Sequence, residues 1–487
     1  MSLHFQSVID DIDQDCDIAA GINEDGLNHF LATHHTVNYN PSDLSIYRGV
    51  GKVEDLGIEE WSYDISESPV IDLYPIQAAA EKSRLKWFRS IPELGTFPAA
   101  ARTQLENLMN EEANIEIKLP KITLAVKFEQ TGPTPLPPSI SVDLALVALG
   151  RVTINDKDEF EFSAIEIRVD SAVEDAIEAA LKDKGLDKKD TITSSNSTVC
   201  YPIDKLIKHL INSFLKARIE KFTVALPLPS PLSLFKGIAV GNLKTMVLHD
   251  TLVVCGEAVP NGVAEDDREA ADDDEDRFNA QGIDGKNIFL ALSIDFFHLT
   301  SSKFLNISKS DGGSDGNDLA EWKWSYWMRL SDKGPEFRDQ DKVRFNVDFD
   351  GGGSAKARVK THCGPLPWIG TRLRADLIPQ NEYVEAQLRF SGRKLKLRAN
   401  TRWSGVGIHP ENWWDVLGWV LSAILSIVGT AIFSILDFAL NFFKIPLAEL
   451  PERFPGTQIP FGIVGFKTGF SSNRRFYAVE LGLKFDP

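Results

Sequence analysis

At 487 residues the chain exceeds one typical core, so two domains are expected. A hydrophobic content of 43% and ten tryptophans can fill sizeable cores and exclude wholesale disorder. A net charge of −18 argues against a nucleic-acid backbone or a strongly anionic membrane as the main partner.

The chain opens Met1-Ser2-Leu3-His4-Phe5-Gln6. It lacks the basic stretch and apolar core of a Sec signal peptide. Residues 18–27 read as an apolar strand followed by a helix, with Asn23 placed to cap it. His29, His34 and His35 form the only histidine cluster; no further zinc ligands can be assigned to it, and these side chains are expected at the surface. Residues 115–119, 122–128 and 160–167 alternate apolar and polar, the signature of antiparallel strands with one wet face. Gly and Pro place a loop at 131–138. Val173, Ile177 and Leu181 recur at four-residue spacing and predict a helix over 171–181.

An apolar helix is expected next. Ile203, Leu206, Ile207, Leu210, Ile211, Phe214 and Leu215 occupy one face; Lys205, Lys208, His209 and Lys216 occupy the other. It runs into Leu226-Pro227-Leu228-Pro229-Ser230-Pro231-Leu232 and then β-rich sequence up to Gly256. Residues 265–276 hold nine carboxylates and one Arg, a density that must stay solvated and marks a linker.

After the linker, residues 288–297 can be laid over 18–27, with Ser293 in the place of Asn23. Loops are expected at 310–318 and as a hairpin turn at Gly351-Gly352-Gly353. The run Trp322-Lys323-Trp324-Ser325-Tyr326-Trp327 could stack sugars or bases, but its alternation fits a strand with a buried aromatic face better. Residues 343–349 and 395–398 alternate as strands. Residues 416–436 carry no charge over 21 positions, enough to span roughly 32 Å as a helix. Asp415 and Asp437 bracket this run, basic flanks are missing, and Gly418, Ser422, Ser426, Thr430 and Ser434 form a small-residue stripe. A buried helix is therefore expected rather than a transmembrane one. Ile445-Pro446-Leu447 and Leu450-Pro451 then repeat the helix, proline and strand order of the first half.

Cys16, Cys200, Cys255 and Cys363 are far apart and form no CxxC pair. Neither a zinc knuckle nor a disulfide framework is expected, and a reducing compartment is favoured. HExxH, GxSxG, Walker A and a strand-borne GxGxxG are missing, so no catalytic residue is assigned and no enzyme is expected.

The twice-repeated order of apolar helix, Pro-spaced sequence and strands, over 203–256 and 416–485, resembles the TULIP superfamily of tubular lipid-binding proteins, with the segments near Gly21 and Ala291 as module openings. That group takes in bactericidal/permeability-increasing protein and bacterial accessory proteins encoded beside clostridial neurotoxins. The resemblance implies an α+β fold of two tandem modules, each a long bent antiparallel sheet wrapped around an apolar helix: 1–261, an acidic linker 262–285, and 286–487. It also implies non-enzymatic binding, or transfer, of a lipid, fatty acid or other apolar ligand in helix–sheet grooves. The groove-lining residues would be Ile207, Leu210, Ile211 and Phe214 in the first module, and Leu421, Ile424, Leu425 and Val428 in the second. Neither cofactor nor metal is expected. A protein partner and a transient membrane contact fit the same reading, nucleic acid does not, and the location would be cytoplasmic or reached by export without a Sec signal. The alternatives are a membrane-inserting or pore-forming toxin component that uses 416–436, and a scaffold or toxin-accessory protein whose grooves are filled by its own side chains.

Overall fold

The computed structural model describes residues 3–52, 58–73, 114–129, 139–154, 159–168, 171–187, 190–193, 200–211, 228–229, 239–259, 287–316, 320–338, 341–361, 364–378, 380–400, 403–411, 430, 446–450, 452–453 and 458–485. In chain order the first half holds α1 (Gln6–Asp10), β1 (Ile18–Asn23), α2 (Glu24–Asn38), β2 (Arg48–Gly51), β3 (Ile58–Ile65), β4 (Val70–Leu73), β5 (Ile115–Phe128), β6 (Ser139–Ile154) and β7 (Glu159–Arg168). It continues with α3 (Ser171–Asp183), β8 (Thr191–Thr193), β9 (Cys200–Pro202), α4 (Ile203–His209), β10 (Leu228–Pro229), β11 (Ala239–Leu248) and β12 (Thr251–Val259). The second half holds β13 (Ile288–Ser293), α5 (Ile294–Leu305), β14 (Ile307–Gly316), β15 (Ala320–Arg338), β16 (Lys342–Thr361), β17 (Gly364–Pro365), β18 (Ile369–Ile378) and β19 (Tyr383–Ser391). It ends with β20 (Lys394–Ala399), β21 (Gly405–Pro410), β22 (Pro446–Glu449), β23 (Phe461–Phe470) and β24 (Phe476–Phe485). The fold is α+β, dominated by antiparallel sheet with few helices.

Three sheets carry the structure. A central one has the order β11-β12-β1-β13-β24-β23, three strands from each half of the chain. A second belongs to the first half, β10-β7-β6-β5-β3-β2 with β4 also paired to β5. A third belongs to the second half, β14-β15-β16-β19-β20-β22, with β18 bridging β16 and β21.

The central sheet reads alike from either edge. At its middle β1 lies antiparallel to β13, with Ala20 opposite Leu290 and Gly21 opposite Phe289. Each of the two strands feeds a helix. The Asn23 side chain accepts a hydrogen bond from the Gly26 N–H (2.9 Å), and the Ser293 hydroxyl accepts one from the Phe296 N–H (3.0 Å). Each therefore satisfies an otherwise orphaned first-turn donor, as capping requires. The segments 18–27 and 288–297, laid over one another as sequences, are thus matching strand–cap–helix units. Both outer hairpins of the sheet also carry a register shift, at Gly241/Lys244 and Ile463/Gly465.

Every residue of β1 and of β13 is buried, because both faces of the sheet are covered. Ile18, Ala20, Ile22, Leu290 and Leu292 face the main core with α2 and α5. Ala19, Phe289 and Ala291 face a second cluster with Leu3, Phe5, Val8, Ile9 and Ile12 of the N-terminal segment. Gly21 is required here: a Cβ at this position would run into the Phe289 ring.

Arg475 clamps the same segment. Its guanidinium donates to the carbonyls of Ile12 (3.3 Å), Asp13 (2.8 Å), Gln14 and Cys16 (2.8 Å). Asp17 ties the two halves together, its Oδ1 accepting from the Ser293 hydroxyl (3.0 Å) and its Oδ2 from the Ala258 N–H (3.1 Å).

Four sequence expectations are corrected. Cys16 and Cys255 are joined by a disulfide across 239 positions, which spacing along the chain could not reveal. Antiparallel pairing of β1 with β12 sets Cys255 opposite Ala19 and so brings it to the start of β1. Residues 310–316 belong to strand β14 and not to a loop. Their loop-like composition is tolerated because β14 is an edge strand with nearly all side chains in water. Gly351, Gly352 and Gly353 lie inside β16. They mark the place where β16 exchanges β19 (343–346) for β18 (352–357) as its neighbour. A Cβ on Gly352 or Gly353 would meet the carbonyl oxygen of Leu373 or Ser325. His34 and His35, finally, are buried and not on the surface.

The expected loop at 131–138, the linker 262–285 and the helix 416–436, apart from Thr430, lie outside the described residues. No helix among the described residues is long and apolar enough to cross a membrane.

Candidate functional site

The candidate site is the apolar interface between the first-half sheet and its helices. β5 and β6 alternate strictly enough to give the sheet one apolar face. Ile117, Leu119, Ile122, Leu124 and Val126 of β5 are all buried, as are Ile140, Val142, Leu144 and Leu146 of β6. The alternation survives Pro120 because the register shifts between Leu119 and Ile122, which returns Ile122 to the inner face.

α3 lies on β6 and turns Val173, Ile177 and Leu181 towards this face. α4 follows β9 and packs beside α3. Ile203, Leu206 and Ile207 line its inner side, and Leu210 and Ile211 continue it by one turn. Three of the groove residues expected from sequence are therefore placed together. Ile207 is 0%, Leu210 1% and Ile211 0% exposed, in the same apolar cluster as β5 and β6. Lys205 and His209 point to water, and Lys208 pairs with Glu174 of α3 (2.5 Å). Phe214, Leu421, Ile424, Leu425 and Val428 lie outside the described residues.

At the β4 edge of the sheet are polar contacts that sequence reasoning missed. The Asn28 side chain donates to the Ile71 carbonyl (2.9 Å) and accepts from the Ile71 N–H (2.7 Å). Glu24 accepts from the Leu73 N–H (3.0 Å). Two side chains of α2 thus satisfy the open edge of β4, as a neighbouring strand would. Burial pushes the Glu24 carboxyl above the usual range, partly offset by the Leu73 hydrogen bond. Lys118 reaches Asp72 at 2.6 Å and the buried Glu116 at 3.7 Å, and the Asp72 hydrogen bond raises its own affinity for the proton.

On the next turns of α2, His34 Nδ1 lies 2.8 Å from the Tyr47 hydroxyl and His35 Nε2 lies 3.0 Å from the Ile65 carbonyl. Burial pushes His34 down to about 4 and Tyr47 well above its ordinary value. A buried neutral imidazole paired with a tyrosine is a structural contact. No group of three or more His, Cys, Asp or Glu able to hold a metal occurs among the described residues.

In the second half the inner face is aromatic. Tyr326, Met328 and Leu330 are buried, and Trp322 and Trp324 are partly buried against the same core. Trp324 and Tyr326 stack with centroids 5.9 Å apart. The expected strand with a buried aromatic face is present, except that Trp327 turns to the opposite, solvent face and is 45% exposed.

No family model matches the sequence, and no curated protein matches it. Among the crystal structures that resemble the chain are the following two. One is lipopolysaccharide binding protein, at 12% identity and a TM-score of 0.32, covering 97% of this chain and 99% of that one. The other is P47 of Clostridium botulinum E1, at 11% identity and a TM-score of 0.35, covering 96% and 99%. Both are of the kind named by the sequence resemblance.

Proposed function

We propose that this protein binds a lipid, fatty acid or other apolar ligand, without catalysis, in the space between each apolar helix and its sheet. The architecture proposed with it is two tandem TULIP-like modules, 1–261 and 286–487, joined by 262–285. What supports the reading is the continuous apolar face of β5 and β6, with α3 packed on it and α4 beside α3 turning Ile207, Leu210 and Ile211 into the same apolar core. An acyl chain laid on such a face would gain about 25 cal/mol per Å² of apolar area removed from water. The proposed location is cytoplasmic, or reached by export without a Sec signal, and the Cys16–Cys255 disulfide favours the second.

A second reading is favoured by the same burial. Ile207, Leu210 and Ile211 are sealed from solvent by protein alone, as in a scaffold that fills its own groove.

Leu210→Trp separates the two. In a close-packed core the larger ring overpacks and costs about 1–3 kcal/mol. In a ligand groove it leaves stability nearly unchanged and displaces ligand. Thermal unfolding, uptake of a fluorescent fatty acid, and mass spectrometry of lipid extracted from the purified protein are measured on parent and variant. A destabilised variant from a parent that carries no lipid and takes up no probe leaves the scaffold reading standing.

A further inference from the structure

An edge strand presents a row of unpaired N–H and C=O groups, and proteins blunt such edges by shortening, bulging or covering them. Among the described residues most edges of this fold are treated that way. β11 and β23 carry register shifts, and β2, β10 and β22 span four residues or fewer. β21 ends on Pro410, and side chains of α2 occupy the open edge of β4. β14 has none of these devices. It is the outermost strand of its sheet and pairs with β15 from Ile307 opposite Leu330 to Gly316 opposite Glu321 without a shift. Its sequence, ISKSDGGSDG, holds no proline, and eight of its ten residues are exposed.

Two local contacts show which backbone groups face outward. The N–H groups of Gly312 and Gly316 donate to the carboxylates of the residues just before them, Asp311 and Asp315 (both 2.7 Å), and so point away from β15. Outward and inward residues alternate along a strand. Ser308, Ser310, Gly312, Ser314 and Gly316 therefore turn their backbone polar groups to the open edge. All five are Ser or Gly, so no bulky side chain crowds an incoming strand.

The edge is complementary to itself. Two copies of β14 laid antiparallel, with the twofold axis at Gly312, set Ser310 opposite Ser314 and Ser308 opposite Gly316 as hydrogen-bonded pairs, up to about ten bonds in all. The pairs between them, where side chains come closest, are Asp311 with Gly313 and Lys309 with Asp315. Each Lys309 thus meets a carboxylate of the other copy. Within one chain these two residues are about 20 Å apart along the strand and cannot pair. Moving the axis to Asp311 opposes Asp311 to itself, and moving it to Gly313 opposes Asp311 to Asp315, both repulsive. An axis at Ser310 pairs Lys309 with Asp311 but engages only Ile307–Gly313.

We propose that β14 is a dimerisation edge, to which a second copy of this chain adds its own β14 antiparallel around Gly312. The two third sheets then become one. Trp322 and Trp324 of each copy lie one strand from the seam, opposite Asp315 and Gly313, so the aromatic inner faces of the two copies form a single surface.

The test is analytical ultracentrifugation of the full chain over a dilution series, where a reversible monomer–dimer equilibrium is expected. Gly312→Pro removes the donor at the axis, at an edge position whose N–H is not used by β15. It should weaken the dimer at least about tenfold and leave thermal unfolding unchanged. Lys309→Asp and Asp315→Lys each oppose like charges twice and should each weaken self-association about tenfold or more. Mixed in equal amounts, these two variants should associate again as a heterodimer, because every contact between 309 and 315 is then of opposite sign. Lys121→Glu, an exposed charge change on β5, should leave the equilibrium as it is. The proposal is overturned if Gly312→Pro dimerises as the parent does, or if the mixture associates no better than either variant alone. A parent that stays monomeric throughout also overturns it and leaves the edge to a strand of another protein. Should Gly312→Pro fail to fold, the mixing experiment decides by itself.

Discussion

At the scale of single residues, burial decides behaviour more than residue type does. His34 is held neutral inside the first-half core, with its affinity for a proton reduced to about 4 from 6.5. The unfolded chain therefore takes up a proton at this site first as pH falls, and unfolding is favoured. Stability is expected to be complete above pH 6.5, to decline between 6.5 and about 4, and to lose at most about 3 kcal/mol from this group. His34→Gln should flatten that slope in denaturant titrations repeated across the range. An unchanged slope would place its origin elsewhere. Gly21 gives a second prediction. Gly21→Val forces the Phe289 ring away in the middle of the central sheet. It should cost roughly 1–3 kcal/mol, read as a shift in unfolding midpoint; equal stability would mean that the ring has room to move.

At the scale of elements, the regular strands and caps were legible and the exceptions were not. Alternation in 122–128, 160–167, 343–349 and 395–398 carried through to β5, β7, β16 and β20, and β5, β16 and β20 each set one face against a core. Asn23 and Ser293 were readable as caps because a cap is a local bond. What could not be read depends on partners distant in sequence. β14 is recognisable only once β15 is alongside it, and Gly351–Gly353 only once β16 changes neighbours. Burial of His34 and His35 depends on Tyr47 and Ile65 of other elements. Of the eight residues expected to line grooves, Ile207, Leu210 and Ile211 are buried on the inner side of α4 and five fall outside the described residues; what the sequence made legible there is the apolar face of the helix. The Cys16–Cys255 bond belongs to this scale too, since it fastens the N-terminal segment to β12. Cys255→Ser should lower stability by about 2–5 kcal/mol. Melting the parent with and without reductant should reproduce the difference, and an identical melt would show that the packing of Phe5 and Ile9 holds the segment without it.

At the scale of the whole molecule, the pairing of β1 with β13 makes the two halves interdependent. Proteolysis is expected to cut within the acidic stretch 262–285, which cannot bury its charge. The products should nevertheless stay together in size-exclusion chromatography, since five register pairs and the Asp17 and Arg475 contacts bridge them. Two fragments that separate without denaturant would show that the shared sheet is not the bond between halves. By the same reasoning, residues 1–261 produced alone should self-associate, because β1 then offers an open apolar edge.

The shared sheet also sets a timetable for synthesis. β1 leaves the ribosome long before its neighbours β12 and β13, which begin only at Thr251 and Ile288. At about 5–20 residues per second, the stretch Ile18–Asn23 waits roughly ten to fifty seconds before either partner has been made. For that interval Leu3, Phe5, Ile9, Ile18 and Ile22, all buried in the finished protein, have no sheet to bury them. The nascent chain therefore carries these apolar side chains without their sheet until β12 arrives, and the central sheet can close only after the β23–β24 hairpin has been delivered.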